Sequence, residues 1–262
     1  MNDNDATPAG RDDPWEELRR WTDARIALGR TGTALPTAPL LDFQLAHAMA
    51  RDAVIRPCDF SGVAEEAVRL GTGVLEVKSR AATRADYLRR PDLGRRLDPE
   101  SEAALEDFAR DREPADVCLI VADGLSAMAV ERQAPEFLRE LHARLGEAGY
   151  SFTPVVCASQ ARVALADEIG FRLKATLTII LIGERPGLSS PDSLGVYLTW
   201  HPRPGLQNAD RNCISNVRPA GLVASRAAKQ ATGLVRGAFH LGVSGIALKE
   251  DSWLSIPENR KG

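Results

Sequence analysis

Three short apolar runs decide the fold class of this 262-residue chain: DVCLIV (116–121), FTPVVC (152–157) and ATLTIILI (175–182). Near-continuous apolar runs of this length are typical of strands in a parallel sheet, because both faces of each strand are buried. Helical patterns over 131–149 and 163–173 separate the runs, and 194–200 is also of strand type. This alternation predicts an α/β domain with a doubly wound parallel sheet.

The chain before the sheet is of a different kind. After a short leader that we expect to be disordered, helical patterns begin at Trp15, at Thr37 and at Val63. The stretch GTG (71–73) then breaks the chain, and VLEV (74–77) is a strand that needs a sheet partner. We therefore predict a helical N-terminal domain over 1–70 and a sheet domain over 71–262.

Composition excludes several classes of protein. The 33 Lys and Arg against 36 Asp and Glu give a formal charge of −3, which does not favour unspecific nucleic-acid binding. The longest apolar stretch, 175–182, is too short to span a membrane, so we expect a cytoplasmic protein. Four dispersed histidines and four cysteines without a CxxC pair predict neither a metal site nor a disulfide.

Three polar segments follow the predicted strands. Ligands bind at the carboxyl ends of strands in open parallel sheets, so DGLS (123–126), SQARV (159–163) and GERPG (183–187) are expected to meet at one edge. Each alone is typical of a turn or cap; together they indicate a site. A fourth polar segment, DRNCISN (210–216), is predicted to be a loop, with a capping loop around a buried cysteine as the other interpretation.

No nucleotide motif occupies this edge, since both GxGxxG and GxxxxGK[ST] are absent. Ser126 follows a strand and precedes a helix, as the nucleophile of an α/β hydrolase does, although Met128 stands where that motif has glycine. A stand-alone serine hydrolase using Ser126, with His142, His201 or His240 as base, is thus one interpretation. A helix N-cap at Ser126 is the favoured one.

Several segments together resemble one family, the small (light) subunit of ethanolamine ammonia-lyase. The resemblance extends from about Leu18 to Ala247, and its most specific motifs are GERPGL (183–188), RPDLGRRL (90–97) and DRNCISN (210–216). It is also carried by ARIALGRTG (24–32), VADGLSA (121–127) and ARVALADEIG (161–170). Unrelated α/β domains have no reason to share all of these in this order.

The resemblance implies a Rossmann-like cobalamin-binding domain behind a helical N-terminal domain. It also implies a large-subunit partner, whose barrel holds ethanolamine, in a larger hetero-oligomer that forms acetaldehyde and ammonia. In the family the small subunit closes over the cobalamin and supplies no catalytic residue. Family members occur in a bacterial microcompartment, but the N-terminal targeting extension looks absent here, so we expect the cytoplasm.

The resemblance further assigns residues to the cofactor, adenosylcobalamin. The family's contacts on this subunit correspond to Val163, Glu184 and Cys213. Their neighbours Arg162, Arg185 and Asn212 are weaker candidates for the phosphate and amide groups. The chain has no DxHxxG motif to supply a cobalt ligand, which implies that the cofactor is bound base-on, with its own dimethylbenzimidazole below the cobalt.

Overall fold

The computed structural model describes residues 15–248. The α-helices are α1 (Thr37–Ile55), α2 (Ser61–Arg69), α3 (Arg84–Arg89), α4 (Pro99–Ala109), α5 (Ala127–Glu147), α6 (Leu165–Arg172) and α7 (Ala224–Leu241). The strands are β1 (Val74–Lys78), β2 (Val117–Ala122), β3 (Val155–Ser159), β4 (Leu177–Gly183), β5 (Leu194–Trp200) and β6 (Arg211–Val217). The α/β class predicted from the apolar runs is confirmed.

The six strands form one mixed sheet in the order β1-β3-β2-β4-β5-β6. The first four are parallel, whereas β5 runs antiparallel to β4 and β6 antiparallel to β5. The prediction of a wholly parallel sheet is therefore wrong for β5, the last strand that the sequence pattern identified. A parallel pair needs a crossover, usually a helix, and none of the described segments between β4, β5 and β6 is an α-helix.

The predicted loop over 210–216 is also wrong, because Arg211–Val217 is the edge strand β6. An edge strand buries only some of its side chains, here Arg211, Ile214 and Val217, so it lacks the continuous apolar run by which the central strands were found. Cys213 lies in the middle of this strand and is exposed.

The two faces of the sheet are covered differently. On one face α2, α5 and α7 bury a large hydrophobic cluster, and α7 contacts both β5 and β6. On the other face α4 and α6 enclose a second cluster over β2, β3 and β4. There α6 contacts β4, whereas Tyr197 of β5 and Cys213 of β6 keep part of their surface exposed.

The N-terminal region is helical, but less regular than predicted. The pattern from Trp15 forms only a short 3₁₀-helix, Glu16–Trp21, and the next predicted helix is α1. Of α1 only Ala53 is buried, whereas Val63 and Ala67 of α2 join the core beneath α5. The domain boundary near residue 71 stays a prediction. No helix within residues 15–248 has the length and apolarity needed to cross a membrane.

Candidate functional site

The loops after β2 and β3 are joined by one buried carboxylate. Asp123 is 4% exposed and accepts hydrogen bonds from the backbone N–H groups of Gln160 (2.8 Å) and Ala161 (3.0 Å). Arg84 Nη1 lies 3.3 Å from the same carboxylate. Burial raises the pKa of Asp123, and these partners act in the opposite direction. We call Asp123, Arg84, Gln160 and Ala161 the Asp123 network.

The loop after β2 is also pressed against the end of β4. The backbone N–H of Leu125 donates to the Gly183 carbonyl at 2.8 Å. Gly124 has a φ of +55°, and a Cβ there would lie 2.3 Å from the Gly183 oxygen. Only glycine tolerates both conditions. This part of the strand-end edge is therefore closed by backbone contact.

Ser126 is a helix N-cap, as the favoured interpretation had it. It is fully buried, its Oγ accepts the N–H of Ala129 at 3.1 Å, and its hydroxyl donates to the Pro191 carbonyl at 2.6 Å. Two of the proposed bases lie in ring stacks, His142 on Phe152 and His201 on Trp200. A buried hydroxyl donating to a carbonyl is not a nucleophile, so the hydrolase interpretation is wrong.

Glu184 directly follows β4, and its carboxylate is held in place by the sheet. Oε2 accepts hydrogen bonds from Ser193 Oγ (2.5 Å) and from the backbone N–H of Asn216 (3.3 Å). The side chain lies across Gly195, where a Cβ would be 3.1 Å from both Cγ and Oε1. No residue among 15–248 donates a hydrogen bond to Oε1. The carboxylate is thus oriented through Oε2, while Oε1 receives no hydrogen bond from the described residues.

Cys213 lies next to this carboxylate. It stands opposite Tyr197 in the β5–β6 register, so the two side chains are neighbours on one face of the sheet. Burial is the main cause that raises the pKa of Cys213, and the charge of Glu184 acts in the same direction. The thiol therefore stays protonated at neutral pH, which gives no support for a redox role. We call Glu184, Gly195, Tyr197 and Cys213 the β5–β6 platform.

Val163 lies on the same face of the sheet. It is partly exposed and packs, like Tyr197, against the hydrophobic cluster under α6. The sequence pattern predicts that a helix begins at Val163. The helix α6 begins at Leu165 instead, so Val163 lies in the turn before it. It offers apolar surface at the end of β3.

The three weaker candidates differ in what their polar groups already bind. The Arg162 guanidinium donates to the Tyr87 carbonyl at 3.2 Å and lies over the Tyr87 ring. The Asn212 amide donates to the carbonyls of Gly245 and Leu248 and accepts the N–H of Gly245. Arg185 is exposed beside Glu184. Arg185 is therefore the most accessible of the three to a ligand.

Sequence reasoning missed Ser193, Gly195, Tyr197 and Asn216. Ser193, just before β5, and Gly195 and Tyr197 within it lie at alternate positions, and alternate residues of an extended chain share one face. That spacing was a usable signal once 194–200 was recognised as a strand. Within residues 15–248 no group of three or more His, Cys, Asp or Glu side chains is arranged to hold a metal ion.

Comparisons of the sequence with a family model and with known proteins match the chain to the same family. The sequence model of the ethanolamine ammonia-lyase light chain (EutC) matches residues 12–249. Proteins named ethanolamine ammonia-lyase small subunit are similar over nearly their whole length. That of Pseudomonas aeruginosa (strain LESB58) is 51% identical over 253 residues, covering 96% of this chain and 93% of the relative. That of Azotobacter vinelandii is 51% identical over 250 residues, covering 95% and 92%.

Proposed function

Because this chain belongs to the ethanolamine ammonia-lyase light-chain family, we propose that it binds base-on adenosylcobalamin at its contact with a large subunit. Glu184, Cys213 and Val163 would hold the cofactor, with Arg185 as a further candidate. Bound cobalamin supplies the radical chemistry that converts ethanolamine into acetaldehyde and ammonia. This chain contributes binding and orientation, and ethanolamine itself is held by the large subunit.

The observation that carries the proposal is the Glu184 carboxylate lying over Gly195. Two donors fix its Oε2, the absence of a Cβ at Gly195 leaves room for it, and Oε1 points to no donor within residues 15–248. An oriented carboxylate suits the amide N–H groups at the edge of a corrin ring or a ribose hydroxyl, because charge-assisted hydrogen bonds are stronger than neutral ones.

The neighbouring groups fit the same ligand. Corrin is a bulky, largely apolar ring with polar arms, so it needs apolar contact and hydrogen bonds in one place. Val163 offers apolar surface, and Cys213 offers a protonated thiol that can pack without reacting. Val163 and Tyr197 border the same hydrophobic cluster, and we propose that one large ligand contacts Val163, Glu184 and Cys213 together.

The proposed partner follows from the family name, since a small subunit implies a large one. We propose that the two chains form heterodimers that assemble into a larger cytoplasmic hetero-oligomer. A platform that is partly exposed in this chain alone would then be closed by the large subunit, which excludes water from the cofactor.

Co-expression tests this proposal. The two chains together should bind adenosylcobalamin and deaminate ethanolamine, whereas neither chain alone should do so. A large subunit that deaminates ethanolamine at the full rate without this chain would contradict the proposal. Complex formation is followed by gel filtration and acetaldehyde release by a coupled dehydrogenase.

A further inference from the structure

Tyr197 lies at the centre of the β5–β6 platform. It is the direct partner of Cys213 in the antiparallel register, so the two side chains are neighbours on one face of the sheet. Gly195, two residues earlier, is on the same face of β5. Tyr197 thus stands between Glu184 and Cys213, two of the three residues proposed to bind the cofactor.

The ring of Tyr197 and the carboxylate of Glu184 both border the space above Gly195. A Cβ on Gly195 would lie 3.1 Å from Cε2 of the ring and 3.1 Å from Oε1 of the carboxylate. Burial, the thiol of Cys213 and the charge of Glu184 all raise the pKa of Tyr197. The phenol is therefore neutral at physiological pH, and its hydroxyl keeps both a donor and an acceptor.

Tyr197 is also partly accessible. Its body packs against the hydrophobic cluster that Val163 borders, while part of the side chain remains exposed. A tyrosine in this position presents an apolar ring and a polar tip to the same ligand. That combination matches a molecule with an apolar macrocycle and a fringe of amides.

We propose that Tyr197 is a further cofactor-contact residue, whose ring supplies apolar surface and whose hydroxyl hydrogen-bonds to the ligand. This inference rests on the proposed function above and adds a fourth residue to its site. Neither the strand-end loops nor the motifs of the sequence pointed to Tyr197.

The test uses the co-purified complex of both subunits and cyanocobalamin as probe, with its affinity measured by equilibrium dialysis and absorbance. Tyr197→Leu removes ring and hydroxyl, and we expect binding weakened about tenfold. Tyr197→Phe removes only the hydroxyl, and we expect a loss of about threefold. Tyr150→Phe, a tyrosine in the core of the opposite face, is the matched control and should leave the affinity unchanged.

If Tyr197 acts only by positioning Cys213, the binding experiment gives a different result. If Tyr197 merely positioned the thiol, Cys213→Ala would weaken cyanocobalamin binding as much as Tyr197→Leu; we expect it to weaken binding clearly less. If the Tyr197→Leu complex does not assemble, the cyanocobalamin affinity of the Tyr197→Phe complex is the test. A wild-type affinity in that complex overturns the inference.

Glu184→Ala separates this inference from the proposed function. Weakened binding in Glu184→Ala with wild-type binding in both Tyr197 variants overturns the role of Tyr197 and leaves the proposed function standing. Wild-type binding in all three variants overturns the proposed site and the inference together.

Discussion

The strand-end edge of this sheet has two halves that use polar residues in opposite ways. In the parallel half, the buried Asp123 carboxylate is paired with the backbone of Gln160 and Ala161 and with Arg84, and Gly124 brings its loop against the end of β4. In the antiparallel half, the β5–β6 platform keeps Glu184, Tyr197 and Cys213 partly exposed. Similar strand-end polar residues thus serve folding in one half and, in our account, ligand binding in the other.

The difference follows from helix coverage. Strands β1, β2 and β3 are each followed by a helix that crosses back over the sheet, so polar groups buried at their ends need partners within the protein. In the antiparallel half the connections of β5 contain no α-helix within the described chain, and one face of β5 and β6 keeps accessible side chains. Mutations in the two halves should therefore separate stability from cofactor affinity.

The largest effect is expected in the closed half. Asp123→Ala leaves the N–H groups of Gln160 and Ala161 without their acceptor and removes the carboxylate beside the half-buried Arg84, which should destabilise the fold by about 3 to 5 kcal/mol. We expect a sharp loss of soluble complex on co-expression and a lowered thermal midpoint of what remains. Asp111→Ala, at an exposed position, is the control. Wild-type stability in Asp123→Ala would remove the contrast between the halves.

A smaller effect, on affinity alone, is expected at Gly195. Alanine there brings a Cβ to 3.1 Å from the Glu184 carboxylate and should displace it, which weakens cobalamin binding by about tenfold. The matched control is Gly146→Ala on α5, where a Cβ meets nothing within 4 Å. Both variants are compared by cobalamin titration and thermal unfolding of the complex. Equal affinities in the two variants would show that the carboxylate need not lie over Gly195.

The smallest effect is expected at Cys213. Cys213→Ser keeps a small polar group, and its cobalamin affinity should stay within about twofold of wild type. Alkylation is the sharper measurement: in the cofactor-free complex iodoacetamide at alkaline pH should label Cys213 slowly, because its pKa is raised, and bound cobalamin should slow it further. Cys58, remote from the platform, should react at one rate in both states. Equal labelling of Cys213 with and without cobalamin would contradict its place in the site.

The same contrast explains what the sequence could predict. The strands of the parallel half are buried on both faces, so their apolar runs could be recognised in the sequence. The polar loops could be recognised too, because they follow those runs directly. Strand β6 was missed because its side chains are only partly buried. The direction of β5 was predicted wrongly because the short connection from β4 to β5, which has no helix, was not recognised as the sign of an antiparallel pair.

The site divides in the same way. The strand-end pattern placed the segments of Val163 and Glu184 at one edge, but the choice of Val163, Glu184 and Cys213 within their segments came through the family resemblance. Ser193, Gly195 and Tyr197 matter only because β5 runs antiparallel and turns them toward Glu184. Which side chains of neighbouring strands lie together can be predicted only once the direction and register of those strands are known.

The central claim is that the Glu184 carboxylate binds cobalamin, and the cobalamin affinity of the assembled Glu184→Ala complex tests it most directly. Losing charge-assisted hydrogen bonds should weaken binding about ten- to a hundredfold, with assembly and thermal stability retained. Glu184→Gln should fall between this variant and wild type, and Glu113→Ala, at an exposed position, should match wild type. Wild-type cobalamin affinity in an intact Glu184→Ala complex would contradict the account.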